Sequence, residues 1–230
     1  MRCLFWGMAT LLPAEGGLLL LASASPRRRR LLQYLDLPFS VASPGEAEAG
    51  VEVTGMVPAD AAQALARAKA SAVAAVHGDG LVLAADTLVV RRNRSLGKPL
   101  EMGDARRMLR RLRDGEHVVI TGVCLLEAGV GLCRTSYQLT RVWMRNYTDA
   151  EIDRYVASGD PLDKAGAYAV QSREFRPVAR LAGCYTNVVG LPLCAVAEIL
   201  GERGLEEAQV LCREAGQCVY CQRAQVDPEL

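Results

Sequence analysis

Histidine is nearly absent from this 230-residue chain, which has two, at positions 77 and 117. They are too few and too far apart for a histidine-based metal or proton-transfer centre. Aromatic residues make up 5%, and no stretch interleaves them with basic side chains, which excludes the stacking surfaces that grip single-stranded nucleic acid. Net charge is equally scant, +1 from 27 basic and 26 acidic residues, so the chain lacks the overall positive field of a protein that binds long nucleic acid. No window reaches the roughly 18 consecutive apolar residues of a membrane span. Near the start, a basic residue, an apolar stretch and Ala22-Ser23-Ala24 imitate a secretory signal with its cleavage site. Pro13, Glu15, Gly16 and Gly17 interrupt that stretch, leaving residues 18–22 as a run shorter than the ~7–15 residues of a signal core. A soluble, cytoplasmic protein is expected, with residues 1–17 an uninterpreted extension.

What is present is apolar substance and local charge. Half the residues are hydrophobic, enough at this length for one large domain, and no segment reads as a linker that would force a split. The eight cysteines are irregularly spaced, which suits reduced, mostly buried thiols better than a disulfide framework. Cys212, Cys218 and Cys221 cluster as C-x5-C-x2-C, but both histidines are distant and no second C-x-x-C exists, so a zinc site is disfavoured.

The most informative local charge is the run Ser23-Ala24-Ser25-Pro26-Arg27-Arg28-Arg29-Arg30, which follows a short apolar strand. Ser25 suits an N-cap and Pro26 the first helical position. Basic side chains in a first helical turn oppose the helix dipole. Exposed N–H groups, two hydroxyls and several guanidiniums together describe a polyanion site, most simply for a phosphate chain.

Farther along, the pattern predicts a strand at 39–43, an acidic loop holding Glu46 and Glu48, and an Ala-rich helix over 60–76. That helix has an apolar stripe at Ala61, Leu65, Ala68, Ala72 and Val76, with Lys69 near its edge. Residues 81–90 read as an interior strand buried on both faces. A helix is predicted over 104–112, with arginines 106, 107, 110, 111 and 113 on a solvated face. Strands follow at 118–126 and 132–144, then a capping box at Thr148–Glu151 opening a helix that Gly159 stops. Residues 166–171 and 178–184 are shorter strand candidates, 192–200 is a helix, and the tail beyond 201 is weakly helical. The irregular alternation gives an α/β or mixed α+β class with a mixed sheet.

Within residues 81–90, Asp86 is expensive to bury unless paired, protonated or metal-bound. A structural ion pair would satisfy it. Lys98, in the turn Gly97-Lys98-Pro99, suggests instead a place where phosphate, metal and water are held together. The segment 163–171 adds an acid, a lysine, small residues and Gln171.

LASASPRR at 21–28, AADTLVV at 84–90, GKP at 97–99, HVVITGV at 117–123, DKAGAYAVQ at 163–171 and NVVGLPL at 187–193 resemble, in order and spacing, the Maf nucleotide pyrophosphatases. The resemblance implies an elongated Maf/ITPase-like α/β fold over about residues 18–203: a mixed twisted sheet, flanking helices and a central cleft between two lobes, with 204–230 as a tail. It implies hydrolysis of a nucleoside triphosphate to monophosphate and diphosphate, with Mg²⁺ or Mn²⁺, in a homodimer. By motif position, Ser23, Arg27 and Arg28 bind phosphate, Lys69, Lys98 and Gln171 complete the pocket, and Asp86 and Glu48 serve metal and water. Asp86 and Lys98 are the catalytic pair. Glu46 is the alternative to Glu48, because the loop lacks an adjacent acidic pair. Arg29 and Arg30 lie beyond the motif and are expected to face solvent. HVVITGV and NVVGLPL look more like members acting on dTTP and UTP than like those preferring 7-methyl-GTP. A non-catalytic nucleotide-binding module linked to cell division is the alternative. The aspartate-nucleophile phosphatases, which need Asp-x-Asp, are disfavoured because residue 88 is leucine.

Overall fold

The apolar run ahead of the arginines forms β1 (Leu19–Ala22), all four residues buried because strands flank it on both sides. The structure, a computed structural model, describes residues 19–201 and 219–227. The extension 1–17 and Cys212 and Cys218 of the cysteine cluster lie outside the described residues; Cys221 is buried. After β1 come α1 (Pro26–Gln33), β2 (Phe39–Ala42), α2 (Pro58–His77), β3 (Gly80–Arg91), β4 (Arg94–Leu96) and α3 (Met102–Leu112). The chain continues through β5 (Glu116–Ala128), β6 (Leu132–Met144), α4 (Asp149–Ala157), two short 3-10 turns (Asp160–Asp163, Ala165–Ala167) and β7 (Val178–Ala182). It closes with α5 (Tyr185–Val189), α6 (Leu193–Leu200) and, farther on, α7 (Val219–Val226).

These strands make one seven-stranded sheet in the order β2-β1-β3-β5-β6-β7, with β4 pairing β3. Strand β1 is parallel to both neighbours, whereas β3, β5, β6 and β7 pair antiparallel, so the sheet is mixed as expected. From β1 the chain passes through α1 to β2 on one side, then through α2 to β3 on the other. Leu31 and Leu32 of α1 pack with Leu19, Leu21 and Leu83 on one face. Ala66, Ala70 and Val73 of α2 pack with Leu20, Ala22, Val82 and Ala84 on the opposite face. The carboxyl end of β1 is therefore a point where successive connections diverge, the place where open α/β sheets form ligand crevices.

A second core gathers Val89 and Val119 from the far halves of β3 and β5 with Leu109 and Leu112 of α3 and Ile152 and Tyr155 of α4. Both cores are thus strung on the same two long strands, and Asp86 and Thr87 occupy the passage between them. Strand β5 accepts α2 closely because residue 122 is glycine. A Cβ there would stand 2.3 Å from the Ala62 carbonyl carbon and 2.5 Å from the Gln63 nitrogen. Gly122 pairs across the ladder with Asp86, so the helix is seated directly opposite that acid.

Three expectations need correction. Residues 166–171 are not a strand: Gly166 (φ 72°) and Ala167 (φ 61°) are left-handed and close a 3-10 turn. A Cβ on residue 166 would lie 3.0 Å from Val89 Cγ1, and the apolar character of this stretch serves the second core, where Ala167 and Tyr168 are buried. The buried stripe of α2 is rotated from the predicted one. Ala61 and Leu65 are buried as expected, but the stripe otherwise runs through Ala62, Ala66, Lys69, Ala70 and Val73, while Ala68 and Ala72 are half-buried and Val76 is exposed. The arginines of α3 form an ion-pair seam with α4 rather than a purely solvated face: Arg106 meets Asp153 at 2.6 Å, and Arg110 and Arg113 meet Asp149 at 3.0 and 2.9 Å. Asp149 opens α4, where Thr148 and Glu151 complete the capping box.

Candidate active site

The crevice at the end of β1 begins with the turn that launches α1. The Ser23 N–H donates to the carbonyls of Leu21 and Ala42, and its buried hydroxyl accepts from the Ser25 N–H at 3.2 Å. Ser25 then caps the helix, its Oγ accepting from the Arg28 N–H at 3.4 Å, with Pro26 in the first turn. The first-turn arginines gain partners that offset their conflict with the helix dipole. Arg28 Nε donates to the Gly190 carbonyl at 2.8 Å and its Nη2 to Thr87 Oγ1 at 3.1 Å. Thr87 Oγ1 lies 2.9 Å from Thr121 Oγ1, and Thr121 donates to the Asn187 carbonyl at 3.1 Å. Asn187 is anchored in turn by donating to Val119 O and Thr140 Oγ1. Burial lowers the Arg28 pKa, opposed by the charges of Asp86 and Glu48, and its bond to Thr87 brings the guanidinium to the residue next to Asp86. Arg27 pairs with Asp163 at 3.0 Å in a half-exposed contact, and Arg29 is exposed. Arg30 does not face solvent alone: it pairs with Asp227 at 2.9 Å.

On the α2 face, Lys69 and Asp86 are buried, 5% and 7% exposed, and their Nζ–Oδ1 distance is 2.5 Å. Glu48 reaches the same ammonium from the acidic loop at 2.7 Å. One lysine therefore holds two carboxylates. A buried pair of this kind costs much desolvation and adds little stability over an apolar isostere. The third charge makes a purely structural ion pair a poor account of the cluster. Glu46 enters none of the ion pairs among the described residues, so Glu48 is the acid that the loop presents.

Lys98 is exposed in its turn, and the Gly97 carbonyl accepts from the Gly166 N–H at 3.0 Å, which ties that turn to the 163–171 segment. Gln171 borders a hollow of about 330 Å³ with Arg27, Tyr155, Asp160 and Lys164. Lys164 is held there by Asp160 and Asp163 at 2.9 and 2.7 Å. A larger hollow of about 450 Å³, lined by Asp60, Gln63, Arg67 and Thr135, contains none of the residues of the crevice.

The structure thus brings together Ser23, Arg28, Glu48, Lys69 and Asp86, with Arg27 and Gln171 along the adjoining hollow, while Lys98 is exposed and enters none of the ion pairs among the described residues. Among the described residues no group of three or more His, Cys, Asp or Glu side chains converges, so any metal would be held by two carboxylates and its ligand's own oxygens. The donor set fits a hard cation: carboxylate oxygens of two residues already surround one positive centre. Sequence reasoning missed Thr87, Thr121 and Asn187 as supports of Arg28. A polar residue beside an apolar run at each of those positions was the available signal; Thr121 and Asn187 are buried and Thr87 half-buried.

A profile of the family described as Maf-like protein matches residues 18–203. A dTTP/UTP pyrophosphatase of Pelotomaculum thermopropionicum is 46% identical over 189 residues, covering 81% of this chain and 96% of that one. One of Dehalococcoides mccartyi is 42% identical over 204 residues, 88% and 90% of the two chains. A third, from Salinibacter ruber, is 49% identical over 178 residues, 76% and 85%.

Proposed function

Because this chain belongs to the Maf family, we propose that it is a nucleoside triphosphate diphosphatase that converts dTTP and UTP to the monophosphate and diphosphate. The observation that carries the reading is the placement of Lys69, Asp86 and Glu48 at the same crevice as the Arg28 end of α1. Cations for a leaving diphosphate and an acid for water thus adjoin.

Water attacks the α-phosphorus, the bond to the bridging oxygen breaks, and diphosphate leaves with that oxygen. Asp86 is the base that takes the proton from the attacking water. Arg27, Arg28 and Lys69 face the charge that grows on the leaving group, and the exposed Lys98 joins them when the polyanion binds. Arg28 is preset for this by Gly190 and Thr87, so little reorganisation accompanies the reaction. Binding of the polyanion exchanges the Arg27–Asp163 contact for one to phosphate. Asp86 and Glu48 would hold Mg²⁺ or Mn²⁺, which supplies further neutralisation of phosphate charge when bound. The protein acts as a homodimer in this reading, which sedimentation analysis tests directly.

The deciding experiment incubates the chain with UTP, dTTP, the other natural nucleotides and 7-methyl-GTP, each with Mg²⁺ or Mn²⁺, and measures diphosphate against orthophosphate. Diphosphate released fastest from UTP and dTTP is expected. Orthophosphate alone refutes the reading, and no release from any nucleotide refutes it in favour of a module that binds without turnover.

A further inference from the structure

One buried carboxylate outside the family-matched residues has no part in this mechanism. Asp227, directly after α7, has a side chain only 7% exposed. Arg30 Nε donates to its Oδ2 at 2.9 Å, and the Tyr34 hydroxyl donates to the same oxygen. Burial, together with that carboxylate, pushes the Tyr34 phenol up to about 12. Both partners belong to α1 or its C-cap, about half a turn and just under two turns beyond Arg28. Helix α7 also inserts Tyr220, Cys221 and Ala224 into the core that underlies α1 and α5. Cys221 Sγ lies 3.7 Å from Cys184 Sγ, and Cys184 is the N-cap of α5. Helix α5 ends at Gly190, whose carbonyl accepts from Arg28 Nε.

Arg28 thus has two supports, the helix that carries it and the carbonyl that receives it, and α7 touches both. We infer that the C-terminal helix is a brace for the phosphate-binding arginine and that Asp227 is its positioning residue, fixing α1 through Arg30 and Tyr34. Asp227 meets no substrate. It raises the fraction of molecules in which Arg28 is already aimed, and apparent affinity scales with that fraction. Loss of the brace therefore weakens substrate binding while leaving the rate of the bound complex intact, because a bound triphosphate restores the arginine's position.

This inference rests on the diphosphatase reading for its kinetic arm and is independent of it for its binding arm. The full-length wild type, Asp227→Asn and Asp227→Glu are compared by KM and kcat for UTP, calorimetric affinity for tripolyphosphate, thermal melting, and ultraviolet titration of the phenols. Asp227→Asn is expected to raise KM, and to weaken tripolyphosphate binding, by about five-fold, the factor one ordinary net hydrogen bond represents. Its kcat should stay within about two-fold of wild type, and Asp227→Glu should recover most of the loss. A phenol should titrate at lower pH in Asp227→Asn, reporting that the Tyr34 contact existed. Unchanged KM and tripolyphosphate affinity overturn the brace, as does a fall in kcat that merely follows the loss of folded protein. If wild type releases no diphosphate yet Asp227→Asn still binds tripolyphosphate more weakly, the diphosphatase reading fails and the brace stands. If wild type does not bind tripolyphosphate at all, the brace falls as well.

Discussion

Replacing Gly122 with alanine tests whether the seating of α2 on the sheet sets the geometry of the Lys69 cluster. The added Cβ would stand 2.3 Å from the Ala62 carbonyl carbon and 2.4 Å from its oxygen, both rigid backbone. Carbon atoms pack at about 3.5 Å or more, so α2 must retreat by about 1 Å. Lys69 lies two helical turns farther along, roughly 10 Å, and moves with the helix. Its 2.5 Å contact with Asp86 and 2.7 Å contact with Glu48 must then stretch or re-form in a strained rotamer. Overpacking of this kind costs about 1–3 kcal/mol, and at roughly 2–4 °C per kcal/mol for a chain of this length the melting temperature should fall by roughly 2–12 °C. A misplacement of about 1 Å at reacting groups also lowers kcat/KM by up to ~100-fold. Calorimetric melting and diphosphate release, assayed at a temperature where the variant is fully folded, read the two effects separately. Wild-type melting would show that the helix does not sit where Gly122 places it. Reduced melting with wild-type kcat/KM would sever the link between helix seating and the lysine.

Four further outcomes are expected. Asp86→Asn keeps size and removes the charge, so diphosphate release should fall by ~10³, the scale of a lost general base, while circular dichroism stays native; retained turnover would mean that another acid activates water. Arg28→Lys keeps the charge but cannot span Gly190 O and Thr87 Oγ1 together, so KM for UTP should rise by about ten-fold, and an unchanged KM would remove Arg28 from the phosphate site. Burial lowers the His117 pKa from 6.5 to about 4, so the unfolded chain binds the proton first; this residue's stabilisation is complete above pH 6.5 and about 3 kcal/mol is lost as pH falls to 4. His117→Gln should flatten the fall in melting temperature across that interval, and an identical slope in both proteins would place the imidazole in water. Finally, chelation of divalent ions should stop turnover and added Mn²⁺ or Mg²⁺ restore it, whereas full activity in excess chelator would leave Asp86 and Glu48 with no metal to hold.

Where the signal was local, the sequence could be read. Ser25 and Pro26 announce the start of α1 by chemistry that needs no tertiary partner, and the capping box of α4 is of the same kind. Asp86 was conspicuous because burying a carboxylate in a valine-rich run has few solutions. Lys69 was harder, since an Ala-rich helix has no sharp apolar boundary, and only packing against Gly122 determines which face turns inward. The 163–171 segment misled because buried apolar residues in a left-handed turn look like a strand when only their hydropathy is considered. Helix α5 went unread because five residues, Tyr185–Val189, carry too little periodicity to register. The partner of Arg30 lies 197 residues away, a separation at which charge pattern conveys nothing.

The shared strands of the two cores limit how the cleft can move. Residues 80–90 of β3 pair without interruption with residues 118–128 of β5, and this ribbon passes through both hydrophobic clusters. A hinge needs a few residues free to absorb a large change in backbone dihedrals, and none interrupts that ladder. The lobes are two ends of one stiff beam, able to twist slightly about its length but not to fold over a substrate. Discrimination among nucleotides must therefore come from the side chains and loops along the crevice, such as the one that carries Glu48, and not from a hinge between the lobes.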